Sequence, residues 1–283
     1  MIIAETLEEL RAARQDDPWL TWGLVPTMGA LHEGHLSLVR RARAENDRVG
    51  VSIFVNPIQF NRRDDLTHYP RQLARDCVML DAEGVDLVWA PPEEVVYPPG
   101  YQTYVTVEDI TQPLEGAARP GHFRGVATVV AKLFNAFEPT RAYFGQKDAQ
   151  QVAVIRQMAR DLAFNLEIVV CPIVRESDGL AMSSRNARLT PAERAAATAL
   201  YRALSAAKDA WDQGQRDGDR LRAIMREIIE REPLARIDYV SAAHPDTLRE
   251  IDGEAESALL SMAVFVGTTR LIDNMVMGAE AGR

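Results

Sequence analysis

From Val25 the chain reads Val25-Pro26-Thr27-Met28-Gly29-Ala30-Leu31-His32-Glu33-Gly34-His35, which sets two imidazoles three residues apart after a short apolar run. Imidazoles at a strand-to-helix turn can donate to phosphate oxygens, and the first amides of the helix add positive potential beside them. Gly29 and Gly34 have the spacing of a GxxxxGK(S/T) phosphate loop, but His35-Leu36 replaces Lys-Ser/Thr, so this is not a Walker loop. The pair also misses the HExxH spacing of a zinc protease. What remains is HxGH, which by itself would serve equally for two capping or surface histidines.

Two later segments carry related chemistry. Gly145-Gln146-Lys147-Asp148 follows a strand-like run and opens a helix. Its lysine is a point charge for phosphates and its aspartate a helix cap or a magnesium ligand, although a solvated helix start accounts for the same residues. Met182-Ser183-Ser184-Arg185 offers hydroxyls and a guanidinium between Asp178-Gly179 and Asn186. Those groups suit a triphosphate, and equally an ordinary polar loop.

Such residues act only where the backbone gathers them. The runs 23–25, 49–55 and 85–89 read as buried strands, with helices over 34–46 and 70–83 between them. A strand at 104–107, a helix over 125–137, a strand ending at Gly145, a helix over 148–164 and a strand over 166–174 continue the pattern. This alternation predicts an α/β fold with a Rossmann-like parallel sheet, whose ligand sites lie just after Val25, Val55 and Phe144. Beyond Arg175 the texture changes. Thr190-Pro191-Ala192-Glu193 signals a helix start, an alanine-rich helix follows to about Trp211, another covers 219–231, and 237–243, 258–266 and 268–274 read as a small sheet. The expected domains are 1–174 and a smaller α+β domain, 175–283.

Composition bounds the function. The 283 residues hold 32 Lys plus Arg against 41 Asp plus Glu, a net charge of −9, and 47% are hydrophobic. That apolar share builds a core, while the acidic total disfavours a grip on nucleic acid. Cys77 and Cys171 are far apart, with no second Cys at metal-ligand spacing, which argues against a disulfide framework or a structural zinc. No apolar run approaches the roughly 20 residues that cross a bilayer, and residues 1–14 lack a signal-peptide core. A cytoplasmic protein with no nucleic-acid or membrane partner is expected.

HxGH early and a Ser/Arg loop late resemble the nucleotidyltransferase superfamily that attacks the α-phosphate of ATP. Further segments narrow the likeness: Val51-Ser52-Ile53-Phe54-Val55-Asn56-Pro57-Ile58-Gln59-Phe60, Leu114-Glu115-Gly116 with Arg119-Pro120-Gly121-His122-Phe123-Arg124-Gly125-Val126, residues 144–151 and 178–186, and Arg270-Leu271-Ile272-Asp273-Asn274. Together they resemble the pantoate–β-alanine ligase (pantothenate synthetase) family over nearly the whole chain. Gln146 stands where that family more often has Glu.

The resemblance implies condensation of pantoate with β-alanine at the expense of ATP, giving pantothenate, AMP and pyrophosphate through a pantoyl adenylate. It implies a homodimer, with Mg2+ accompanying ATP and metal ligands left open. Met28, Gly29, Ala30, Leu31, His32, Glu33, Gly34 and His35, with Gly145, Gln146, Lys147, Asp148, Val174, Met182, Ser183, Ser184 and Arg185, would line the ATP site. His35 would donate a proton, and His32, Lys147, Ser183, Ser184 and Arg185 would share the phosphate charge. Gln59 and Gln151 would hold pantoate, Gln59 also β-alanine, with Pro26, Asn56 and Phe60 as neighbours. The first domain would then bind ATP and pantoate, the second close over ATP, and 62–70 form a lid. His122 either lines the site or packs in its loop, the role of His68 stays open, His244 reads as structural, and Arg40, Arg41 and Arg43 as a solvated helix face. Two other readings remain: an adenylyltransferase that leaves AMP on a phosphorylated cofactor precursor, and a non-catalytic nucleotide-binding module.

Overall fold

Apolar strand runs separated by amphipathic segments build a six-stranded sheet in the first part of the chain. Its strands β1 (Ile2–Ala4), β2 (Trp22–Thr27), β3 (Arg48–Ile53), β4 (Leu87–Trp89), β5 (Arg141–Gly145) and β6 (Glu167–Cys171) lie in the order β1-β4-β3-β2-β5-β6. Every pairing is parallel. Helices α1 (Leu7–Arg14), α2 (Glu33–Glu45), α3 (Leu73–Ala82), α4 (His122–Phe137) and α5 (Ala149–Asp161) supply the cover that parallel strands need. Hence Leu24, Val25, Val49, Val51 and Val88 are fully buried. Val39 and Ala42 of α2 and Leu80 of α3 pack with Val25, Val51 and Tyr143 in one apolar cluster.

The computed structural model describes residues 1–14, 19–61 and 66–278. The chain divides into two compact units, Met1–Gly145 with Val154–Cys171, and Gln146–Ala153 with Pro172–Arg283. The second unit therefore includes the 146–153 segment, which a single boundary near residue 174 assigns elsewhere. The cause is local: the Asn274 amide donates to the Gln146 and Lys147 carbonyls. In this unit α6 (Pro191–Ala196), α7 (Ala199–Asp212) and α8 (Gly218–Glu230) accompany the antiparallel sheet β7 (Ala235–Ala243), β8 (Ala258–Val266) and β9 (Thr269–Met277). Leu200, Leu204, Leu221, Met225, Leu260 and Met262 form its core.

Two sequence expectations differ from the structure, and two features add to the sequence reading. Residues 104–107 lie outside both sheets, because Val105 N–H donates to Thr128 Oγ1 at 3.0 Å and the Arg124 guanidinium stacks 3.7 Å over Tyr104, tying the segment to α4. The alanine-rich helix is split in two where the Thr198 hydroxyl donates to the Ala195 carbonyl. Strand β1, too short to show a periodicity, completes the sheet edge beside β4. The arginines of α2 lie on a face where Arg40 and Arg41 are exposed, and they also form ion pairs: Arg40 with Glu33 and Glu83, Arg41 with Glu45, and Arg43 with Asp86. Of the expected lid 62–70, residues 62–65 lie outside the described residues.

Tyr143 joins β5 to α2. Fully buried, it accepts from Asn46 Nδ2 at 2.7 Å and donates to Glu45 Oε2 at 3.0 Å, and desolvation holds its pKa above the ordinary tyrosine value. Tyr143→Phe removes both bonds without changing the shape, and a cost of about 1–2 kcal/mol is expected in chemical denaturation.

Candidate active site

The reversal of strand order at β2, with β3 on one side and β5 on the other, opens a crevice outside the carboxyl ends of those strands. The HxGH turn leaves β2 there. Thr27 Oγ1 donates to the Ser52 carbonyl at 2.7 Å and accepts from Gly29 N–H. Gly29 and Ala30 then take positive φ values of 80° and 53°, a conformation that costs a non-glycine residue about 1 kcal/mol or more. The fully buried Asp76 carboxylate of α3 holds them, accepting from Ala30 N–H at 2.8 Å and Leu31 N–H at 2.9 Å. Those two amides are therefore committed to Asp76, and the Leu31 side chain packs in the core.

His32 caps α2. Its Nδ1 accepts from Gly34 N–H at 3.1 Å, while His35 Nδ1 accepts from His32 N–H at 3.4 Å, so the two histidines form a reciprocal capping box with rings 4.2 Å apart. Because each Nδ1 lone pair faces a backbone donor, each neutral ring carries its proton on Nε2. Gly34 is required for this geometry, since a Cβ there would lie 2.8 Å from His32 Cε1. The capping reading of HxGH is thus realised, and the caps fix the orientation of both rings.

A second polar group lies on the one-turn helix Pro57–Gln59. Gln59 Nε2 contacts Met28 Sδ at 3.4 Å, and Gln59 Oε1 accepts from Asn56 Nδ2 at 2.9 Å. Asn56 also donates to the Gly125 carbonyl and accepts from Tyr97 OH at 2.8 Å. Helix α4 approaches closely because a Cβ on Gly125 would fall 2.7 Å from the Gln59 backbone. Buried His122 reaches the Gln59 carbonyl through Nδ1 at 2.9 Å, so it braces this turn. Phe60 stacks edge-on with Tyr69, and Pro26, the penultimate residue of β2, is half-buried beside Ser52 in the strand register.

The second unit holds the other predicted groups except Gly145, which ends β5, and Glu33 of α2. Lys147, Ser183 and Arg185 line one pocket with Leu180, Asn186 and Asp273. Ser183 caps the turn Ser184–Arg188 by accepting from Arg185 N–H, and Ser184 itself is exposed. Met182 N–H donates to the Val174 carbonyl, closing a hairpin whose other bridge is Arg175 with Ala181. Asp148 is exposed and Gln151 half-buried on the 146–153 segment. Glu33 is exposed on α2, paired with Arg40.

Sequence reasoning missed Asp76, Tyr97 and Lys132. Asp76 gave no signal because a carboxylate inside an amphipathic helix reads as solvent-facing. Tyr97 lies 5.0 Å from the Tyr101 ring, and Lys132 Nζ sits 4.7 Å from the latter. Desolvation raises the Tyr97 pKa and lowers that of Lys132, so the tyrosine stays a donor toward Asn56. Both cysteines are buried, and desolvation pushes Cys171 up to about 11, which leaves it a protonated thiol at neutral pH. Among the described residues no three His, Cys, Asp or Glu side chains group as a metal site. Asp76→Ala strips two amides of a charged acceptor, normally worth about 1.5–3 kcal/mol each; hydrogen exchange at Ala30 and Leu31 is expected to quicken at least about tenfold.

The chain is similar over nearly its whole length to one family of enzymes. The family profile of pantoate-beta-alanine ligase matches residues 2–276. The pantothenate synthetase of Roseiflexus sp. (strain RS-1) is 62% identical over 279 residues, covering 99% of this chain and 100% of that one. The crystal structure of pantothenate synthetase from Thermus thermophilus has a TM-score of 0.92 at 48% identity, over 97% of this chain and 99% of that one. Pantoate-beta-alanine ligase from Francisella tularensis, crystallised with beta-gamma ATP and beta-alanine, has a TM-score of 0.80 at 36% identity over the full length of both. With turn, sheet and full-length likeness in accord, the chain belongs to the pantoate–β-alanine ligase family.

Proposed function

We propose that this protein joins pantoate to β-alanine at the expense of ATP, releasing AMP and pyrophosphate, through an enzyme-held pantoyl adenylate. The observation that best supports the reading is the histidine capping box that follows β2 at the strand reversal. Family membership over residues 2–276 supplies the substrates.

In the first half-reaction a pantoate carboxylate oxygen attacks the α-phosphorus, and the bond from that phosphorus to the β-phosphate oxygen breaks. The carboxylate is ionised at neutral pH, so no general base is needed. The obstacle is charge: an anion approaches an anion, and pyrophosphate departs with more. Donors aimed at those oxygens lower the barrier. In our reading His32 and His35 act through Nε2–H, His35 being the donor to the leaving side, while Lys147, Ser183, Ser184 and Arg185 serve the same triphosphate. Met28 to Gly34, Gly145, Gln146, Asp148, Val174 and Met182 complete the ATP site. Gln59, Asn56, Pro26, Phe60 and Gln151 receive pantoate, whose hydroxyls need amides and whose methyls need apolar surface.

In the second half-reaction the neutral amine of β-alanine attacks the acyl carbon, the acyl–oxygen bond breaks and AMP leaves. The mixed anhydride must be kept from water until the amine attacks. Mg2+ enters with ATP in this proposal, held by phosphate oxygens and water. A cytoplasmic homodimer without nucleic-acid partners belongs to the same proposal, by family likeness. No helix among the described residues is long and apolar enough to cross a membrane. An adenylyltransferase is disfavoured by the full-length family match, and a non-catalytic module by the presence of His32, His35, Lys147, Ser183 and Arg185 together.

Labelled pyrophosphate should return to ATP only when pantoate is present, and with β-alanine the products should be an amide and free AMP; absence of exchange in folded protein rejects the adenylate. His35→Ala should keep the fold and slow exchange by about 10²–10³-fold, the usual worth of one such donor. Unchanged exchange removes His35 from the chemistry.

A further inference from the structure

The C-terminal run Arg270-Leu271-Ile272-Asp273-Asn274 has no place in the chemistry above, yet the polar side chains of Asp273 and Asn274 are almost wholly buried and hydrogen-bonded. Asn274 Nδ2 donates to the Gln146 carbonyl at 3.0 Å and to the Lys147 carbonyl at 2.9 Å, and Asn274 Oδ1 accepts from Gln146 Nε2 at 3.0 Å. The Gln146 side chain thus dictates which way the Asn274 amide faces, and the amide in turn clamps the backbone of the turn that bears Lys147. The clamp is itself anchored. Asp273 forms a two-pronged pair with Arg175 at 2.7 and 2.9 Å and accepts Asn274 N–H at 2.8 Å, while Arg175 also donates to the Gly179 carbonyl of the hairpin that leads to Ser183. Desolvation pushes the Asp273 carboxyl up, and Arg175 and the charge of Lys147 draw it back. All of these residues belong to the second unit, and Lys147, Ser183 and Asp273 line one pocket of it.

We infer that Asn274 is a positioning residue for Lys147, setting the height and direction from which the ammonium reaches the triphosphate, with the Asp273–Arg175 pair as its anchor. The inference rests on the reading of Lys147 as a phosphate donor. A lysine on four methylenes loses useful geometry when its backbone shifts, and a displacement of about 1 Å remote from the reacting atoms can lower a rate by about 10²-fold. A side chain that acted only as packing would not reproduce this dependence on one other residue.

The test is a double-mutant cycle on the full chain, read by pantoate-dependent pyrophosphate exchange, with thermal melting to verify folding. Asn274→Ala and Lys147→Ala are each expected to lower the exchange rate by about 10–100-fold, and the double variant to fall no more than about threefold below Lys147→Ala, because the clamp has nothing left to position. Ser261→Ala alters the cross-strand neighbour of Asn274, a serine with a buried hydroxyl that has no hydrogen-bond partner among the described residues, and should leave exchange unchanged. Should Asn274→Ala not fold, Asn274→Asp, which keeps the size and loses both donors, takes its place in the cycle. Multiplicative losses in the double variant, a wild-type rate in the Asn274 variant, or an equal loss in Ser261→Ala each overturn the inference and leave the ligase reading standing. A wild-type rate in Lys147→Ala overturns the inference together with the assignment of Lys147.

Discussion

Parallel strands cannot be joined by a tight turn, and that constraint organises the first unit. Each connection must travel back along a face of the sheet, so helices cover both faces and the strands become continuously apolar. Once the chain has wound from β2 through β3 to β4 it must return to the other side of β2 to lay down β5 and β6. The two directions of winding diverge outside the carboxyl end of β2. A crevice there follows from topology before any side chain is chosen, and the HxGH turn occupies its edge.

Holding a polar turn at that place requires buried acceptors and donors in the right number. Asp76 gives two carboxylate oxygens to two amides of a strained loop. His32 and His35 use one nitrogen each on the backbone and thereby define the other. Asn56 links Gln59, Gly125 and Tyr97 in the same fashion. In the second unit Asn274 repeats the device for Lys147. Asp76, Asn56 and Asn274 are buried and the two histidines half-buried; pairing each with a neighbouring polar atom avoids the cost of an unsatisfied group and restrains the loop. The surface arginines of α2 contribute less, because exposed ion pairs are worth about 0–1 kcal/mol.

Local pattern made much of this legible. Alternation of apolar runs and amphipathic segments announced the α/β architecture, and the position of HxGH at the end of an apolar run placed it at a strand terminus. The errors were equally physical. Residues 104–107 have strand-like composition, yet their partners are Thr128 and Arg124 of a helix, and no local rule reveals which surface an extended segment will meet. The alanine-rich stretch breaks at Thr198 because one hydroxyl competes for one carbonyl.

What the sequence by itself determined was the kind of chemistry: imidazole, ammonium, hydroxyl and guanidinium groups at turns, in an order matching one ligase family. Those are properties of residue type and spacing, which survive without coordinates. What only the tertiary structure decided was how the groups are held. Asp76 lies 46 residues from the amide of Ala30, and Asn274 lies 127 residues from the carbonyl of Lys147. A buried polar residue is defined by the partner that desolvation forces it to find, and that partner is set by the packing of distant elements rather than by its neighbours in the chain.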